Sequence, residues 1–130
     1  MDQADIIRKV NRSGWADYVL GAIHADFDEV TIDIYDDFSN PYVKIVCGGC
    51  IGFSWYGIWE ESDIDTIKIT GPGDVYDRSA LEIMQHYRES SNLETGYKSL
   101  FGDWHELRIT LIDGITFGVA FLTINVITDA

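Results

Sequence analysis

Apolar and polar residues alternate through much of this chain. Val30, Ile32 and Ile34 alternate with Thr31, Asp33 and Tyr35, which predicts a strand with one buried face. Ser62 to Thr70 repeats the pattern, with Ile67 and Ile69 inward and Lys68 outward. Leu107, Ile109 and Leu111 lead to the tight-turn pair Asp113-Gly114, and Ile115, Phe117, Val119 and Phe121 return from it as a hairpin. The phase then changes, because Leu122, Ile124 and Val126 hold the other parity, so a bulge is expected near Phe121 to Thr123. Tyr42 to Cys47 and Cys50 to Tyr56 are separated by Gly48-Gly49, the spacing of a two-residue hairpin turn. Folded about that turn, Tyr42 faces Trp55 across the strands. Neither face of the pair is plainly polar, which predicts an interior position covered on both sides.

Helical periodicity appears twice. Asp2 to Arg12 reads as a short helix: Asp2 caps it, Ile6, Ile7 and Val10 form its apolar stripe, Arg8, Lys9 and Arg12 suit its C-terminal end, and Gly14 offers a stop. Ser79 with Glu82 forms a capping box for a helix to about Ser91, with Ala80, Ile83, Met84 and Tyr87 on one side. Trp15 to His24 fits a helical period and also a strand; a strand from Asp17 to about Ala25 is expected. Asp36 to Pro41, Gly71 to Asp74 and Ser90 to Gly96 read as loops. The order predicts a single α+β domain over residues 1–130: one largely antiparallel sheet of about six or seven strands, with two helices packed against it.

Composition narrows the function classes. Over 130 residues, 46% hydrophobic and 13% aromatic content is that of a globular chain. The net charge of −13 disfavours nucleic acid and anionic membrane as partners, because both are bound by neutralising phosphates with Lys and Arg. It favours a basic protein, whose approach such a field accelerates. The N-terminus lacks the apolar run of an export signal, and the most apolar stretch, Ile115 to Ile127, is interrupted and short. A cytoplasmic location is therefore expected.

Candidate chemistry is sparse. Cys47-Gly48-Gly49-Cys50 has the C-x-x-C form, but zinc needs four ligands and only His24, His86 and His105 remain to complete them. A thioredoxin-like site needs a helix N-terminus at its first cysteine, and a strand–turn–strand setting supplies none. Two thiols packed beside a turn is the plain reading; a cross-strand disulfide stays open. His24 lies near Asp26 and Asp28, and His105 adjoins Glu106, pairings that suit a general base and its orienter. Neither has a nucleophile at a telling spacing. Gly71-Pro72-Gly73 precedes a helix as a phosphate loop would, but Asp74 and Asp77 would repel phosphate. The acids lack the glycine and terminal glutamate of an EF-hand loop. No cofactor and no metal are expected.

Trp15-Ala16-Asp17-Tyr18, leading through His24 into Val30 to Tyr35, resembles the opening of many small, acidic, single-domain uncharacterised bacterial proteins. Cys50-Ile51-Gly52 followed by Gly57-Ile58-Trp59-Glu60-Glu61 adds to the likeness. Some such proteins are immunity partners of bacterial polymorphic toxins. The resemblance covers roughly the first half of the chain, and it implies a non-catalytic cytoplasmic protein-binding module, an immunity protein neutralising a basic toxin. No basic residue lies between Arg12 and Lys44, which makes Asp26, Asp28, Glu29, Asp33, Asp36 and Asp37 candidate partner contacts, with Glu60, Glu61 and the anchor Trp59. Trp15, Trp55, Tyr56 and Trp104 are further aromatics for a binding face or for the core. The alternative is a small enzyme or ligand-binding domain using His24 or His105 with nearby carboxylates. The apolar faces around Gly48-Gly49 leave room for a homodimer.

Overall fold

A computed structural model describes residues 2–26, 28–37, 40–60, 62–89 and 102–128. Its elements are α1 (Gln3–Arg12), β1 (Val19–Asp26), β2 (Glu29–Asp37), β3 (Asn40–Gly48), β4 (Gly52–Trp55), β5 (Ile64–Thr70), α2 (Asp74–Glu89), β6 (His105–Leu111), β7 (Thr116–Phe121) and β8 (Thr123–Thr128). The strands form two four-stranded antiparallel sheets, ordered β1-β2-β3-β8 and β4-β7-β6-β5. The α+β class holds, but the single sheet of six or seven strands does not.

The Gly-Gly pair explains the difference. A type I′ turn needs positive φ at both central residues; here only Gly49 has it (φ 64), and Gly48 stays in β3 opposite Thr123. The chain therefore bends from one sheet into the other instead of reversing. Its partner bends beside it: β3 pairs β8 before the bend, and β4 pairs β7 after it. Leu122 N–H donates to the Gly48 carbonyl (3.0 Å) and Ile51 N–H to that of Ala120 (3.1 Å), so hydrogen bonding continues through the corner. A Cβ on Gly48 would lie 2.6 Å from Thr123 Oγ1, which keeps the crossing tight. The parity change expected near Phe121 to Thr123 is this corner, where β7 passes into β8. Tyr42 consequently stacks on Tyr18 (4.6 Å between centroids) and not against Trp55. Only one face of β3 is buried, with Val43, Ile45 and Cys47 inward and Tyr42 and Lys44 exposed, and β4 is an edge strand; the expected cover on both sides is absent.

The inner faces of the sheets make the core. Val30, Ile32, Ile34, Ile45 and Ile124 meet Ile67, Leu107, Ile109, Phe117 and Phe121. Trp15 to His24 resolves as strand β1 after a turn in which Asp17 takes φ 77. Within the loop expected over Asp36 to Pro41, β2 runs to Asp37 and β3 starts at Asn40, and 38–39 lie outside the described residues.

Helix α1 closes the gap between edge strands β5 and β8. Asp2 caps it as expected, its side chain accepting from Asp5 N–H, and Ile6 and Val10 are buried. The helix ends on Ser13 in extended conformation, without recourse to Gly14. Two side-chain amides then act as substitute strand backbone. Gln3 donates to the Ile124 carbonyl (2.8 Å) and accepts from its N–H (2.6 Å). Asn11 does the same for Ile69 in β5, at 2.9 and 2.7 Å. One free edge of each sheet is thereby capped.

Helix α2 lies on the outer face of the second sheet, where Gly52 and Gly118 let it approach closely: a Cβ on Gly52 would sit 2.0 Å from Ser79 Oγ, and one on Gly118 2.8 Å from Val75 Cγ2. The helix starts at Asp74, well before the start expected from the Ser79 capping box. Its cap comes from far away. Glu106, buried in β6, accepts from the N–H groups of Val75 (2.9 Å) and Tyr76 (3.1 Å) and from Arg108 Nη2 (3.1 Å). The side chain of Tyr87 and the loop expected over Ser90 to Gly96 lie outside the described residues. No helix among the described residues is long and apolar enough to cross a membrane.

Removing either amide cap leaves a backbone N–H and C=O of an edge strand without partners, a loss of about 1–3 kcal/mol. Asn11→Ala and Gln3→Ala are each expected to lower unfolding free energy by that amount in urea titrations, whereas Asn125→Ala, an exposed position on β8, stays within about 0.5 kcal/mol of the parent.

Candidate partner-binding site

The two sheets leave four places where edges approach. At one, β3 and β8 run on into β4 and β7. At a second, Val19 and Asp63 form an antiparallel bridge, with Leu20 N–H bonded to the Ser62 carbonyl (2.8 Å) and Ile64 N–H to that of Tyr18 (2.9 Å). At the third sits α1. At the fourth, between β1 beyond Val19 and β4, no described strand or helix pairs with either edge.

That fourth corner is a cleft of about 140 Å³ lined by Ile23, Ala25, Phe53, Trp55, Trp59 and Phe117. Phe53 and Trp55 stand opposite Val119 and Phe117 in the β4–β7 ladder and so share their inward face. Val119 and Phe117 are each 1% exposed, yet Phe53 is 42% and Trp55 46% exposed. Inward-facing aromatics of a closed sandwich would be covered; here sheet β1-β2-β3-β8 ends too soon to cover them. Trp59 wedges into the gap, edge-on to Trp55 (5.9 Å) and to Phe117 (5.1 Å). Its indole N–H is buried without a partner among the described residues. Tyr56 and Ile58 are exposed, and Tyr56 belongs to the α2 side of the sheet, where its hydroxyl accepts from Arg78.

Charge is segregated around this cleft. Residues 13–67 hold eleven of the 22 acids and a single Lys or Arg, Lys44, which accounts for ten of the thirteen net negative charges. The described bases otherwise sit on α1 (Arg8, Lys9, Arg12), β5 (Lys68), α2 (Arg78, Arg88) and β6 (Arg108).

The sequence-predicted contact residues divide into groups. Asp26, Asp28 and Glu29 form the β1–β2 turn directly after the cleft residue Ala25, and Cys50 N–H bonds the Asp28 carbonyl (2.8 Å), which docks that turn beside the start of β4. Glu60 follows Trp59. Asp36 and Asp37 lie at the other end of β2; seven residues of strand, about 23 Å, separate Asp36 from Glu29. Asp33 projects from the outer face of β2, with its Oδ2 3.3 Å from His24 Nε2 and its Oδ1 buried and unpartnered among the described residues. Glu61 and the side chain of Asp37 lie outside the described residues. Of the predicted contacts, Trp59 lines the cleft, Asp26 and Glu60 directly follow lining residues, Asp28 and Glu29 continue the turn after Ala25, and Asp33 and Asp36 lie apart from it. Of the aromatics, Trp15 and Trp104 are core, while Trp55 and Tyr56 are exposed. Ile23, Ala25, Phe53 and Phe117 carry no sequence signal of a site, because their alternation is that of any buried strand face.

The other candidates do not converge. His24 sits on an open sheet face. His105 stacks on Phe121 (5.9 Å), with Nδ1 3.0 Å from the Asp103 carbonyl oxygen. Neither lines the cleft, nor a groove of about 550 Å³ between α2 and its sheet, where Ser54, Asp74, Asp77, Arg78 and Arg108 meet Tyr56. Cys47 is buried and Cys50 half-buried, both as free thiols. Cys50 Sγ donates to the Cys47 carbonyl at 3.2 Å. Burial pushes both thiols up, Cys50 to about 11, with the Asp28 and Glu29 charges adding to the effect. No group of three metal-ligating side chains occurs among the described residues. No protein-family model matches the chain, and no match exists among curated proteins or solved structures.

Two outcomes follow from this geometry. Phe117→Ala empties a packed site and is expected to cost about 3–5 kcal/mol; Trp55→Ala removes a side chain already half in water and is expected to cost clearly less in the same urea assay. Alkylation of Cys50 in the folded protein is expected to be still accelerating at about pH 10, where an ordinary thiol with a pKa of about 8.5 has levelled off. Because the unfolded chain releases these protons first, the thiol contribution to stability is intact below about pH 8.5 and falls as pH climbs towards 11.

Proposed function

We propose that this protein is a non-catalytic binding module for a basic protein, and that the open β1/β4 corner is its contact surface. The observation that carries the reading is the half-exposure of Phe53 and Trp55 on the inward face of their sheet. Small-molecule pockets run to about 300–1,000 Å³; the cleft, at about 140 Å³, is the size of a single anchoring side chain. Tryptophan, which lines it at Trp55 and Trp59, is among the residue types that dominate interface energetics. The acids around it steer a basic partner and repel nucleic acid, anionic membrane and, by like charge, a second copy of this chain. An immunity protein that neutralises a basic toxin is the specific instance this reading favours. It places the protein in the cytoplasm, where Cys47 and Cys50 stay reduced.

The alternative, an enzyme or ligand-binding domain using His24 or His105, has the His24–Asp33 contact in its favour. Its weakness is that His24 stands on an exposed sheet face and lines no cavity among the described residues.

The test is co-purification at low salt followed by kinetics with the recovered partner. Association is expected to slow about tenfold or more between roughly 0.05 and 0.5 M salt, as screening shortens the range of the field. Trp55→Ala is expected to weaken the complex by about 2 kcal/mol, roughly 30-fold, through faster dissociation. A salt-independent association rate, or a partner that binds Trp55→Ala as tightly as the parent, would remove the proposal.

A further inference from the structure

Three of the four corners between the sheets have their edges satisfied, and the means differ. Backbone serves at two of them. At the third, α1 spends two amide side chains, Gln3 and Asn11, each bonded to both the N–H and the carbonyl of one edge residue. At the fourth, no such cap on the edge of β1 occurs among the described residues. From Ala22 to Asp26 this edge is regular, the only register shift in the strand lying before it, between Leu20 and Ala22. Five successive residues therefore offer a straight hydrogen-bonding edge, longer than the four-residue β4. An exposed regular edge is a template for another strand.

A strand added there would extend the β1-β2-β3-β8 sheet by one position, the direction in which that sheet stops short of Phe53 and Trp55. Its alternate side chains would point into the cleft and cover those rings. Charge determines whose strand it is. Residues 13–43 and 45–67, which supply β1, β4 and Trp59, contain no Lys or Arg, and the acids Asp26, Asp28 and Glu29 stand at one end of the cleft. The same edge of a second copy would bring matching negative charge against it.

Building on the protein-binding reading, we infer that β1 is an acceptor edge for an extended, basic segment of the partner protein. The segment pairs with Ala22–Asp26 and seats one large apolar side chain between Ile23, Phe53, Trp55 and Trp59. Main-chain hydrogen bonds hold it in register, the cleft selects the apolar residue, and the flanking Lys or Arg residues meet the acidic turn.

Selection from a phage-displayed library of random peptides of about nine residues, using the full chain as bait, tests this. Phe53→Ser and Trp55→Ala serve as counter-baits; both positions are already half exposed, and retention of the fold is checked by circular dichroism. The expected winners carry Lys or Arg around one Leu, Met or Phe and bind the parent at least about tenfold tighter than either variant. N-methylation of alternate amides in a winner is expected to abolish its binding, and hydrogen exchange at Ala22–Asp26 is expected to slow when it is bound. Failure of the selection to converge, winners without basic residues, or winners indifferent to both substitutions would overturn the inference. So would a winner that tolerates N-methylation or protects β4 in place of β1. The basic-partner reading fails by a separate measurement, the salt dependence of the natural complex, so the two can be judged apart.

Discussion

The edge of a β-sheet presents N–H and C=O groups that need partners, and how this chain supplies them sets most of its architecture. Two four-stranded sheets have four edges, formed by β1, β8, β4 and β5. Helix α1 accounts for two of these with one pair of side chains. Gln3 and Asn11 lie on the same short helix, yet they reach Ile124 and Ile69 in different sheets. The apolar stripe of α1 fills the gap between those strands while its amides finish their ladders. An amphipathic helix with Leu or Ala in place of these amides would bury similar area and leave both edges bare.

The second constraint is the shared corner. A ribbon that bends from one sheet to the other lets eight short strands enclose one core without a long crossover. It requires a residue with no Cβ where Gly48 meets Thr123 and positive φ at Gly49. The close seating of α2 comes from the same economy of side chains, since Gly52 and Gly118 lie beneath Ser79 and Val75. The open corner is the counterpart of this arrangement. Where the ribbon has turned, β4 is left facing an edge that ends one strand early, and tryptophans stand in the gap.

Local pattern was enough to read the strands β2, β5, β6 and β7, the Asp113-Gly114 hairpin, the capped helix α1 and the change of phase after Phe121. Each is fixed by neighbours a few residues apart. What escaped has its cause far along the chain. Gly48-Gly49 satisfies the spacing rule for a hairpin and for a corner alike; Thr123, 75 positions later, decides between them. The start of α2 escaped because its cap, Glu106, lies in a strand about 30 residues on. Of the site, the acidic turn and Trp59 were legible from charge and residue type. Phe53 and Phe117 were not, because an inward aromatic looks the same in sequence whether or not the opposing sheet reaches over it.

The last strand, β8, has consequences for how the molecule is made. It pairs with β3, takes both side-chain hydrogen bonds described for Gln3, and is continuous with β7, which pairs with β4. Until it is in place, the first sheet lacks an edge, the first helix lacks one of its two anchors, and the corner has one wall. Synthesis from the N-terminus delivers that strand after the other described strands, so residues 13–67 leave the ribosome well before they can be locked into shape. Such dependence on contacts between distant parts of a chain makes for slow closure, and the eleven acids of residues 13–67 keep the waiting segments apart from one another in the meantime.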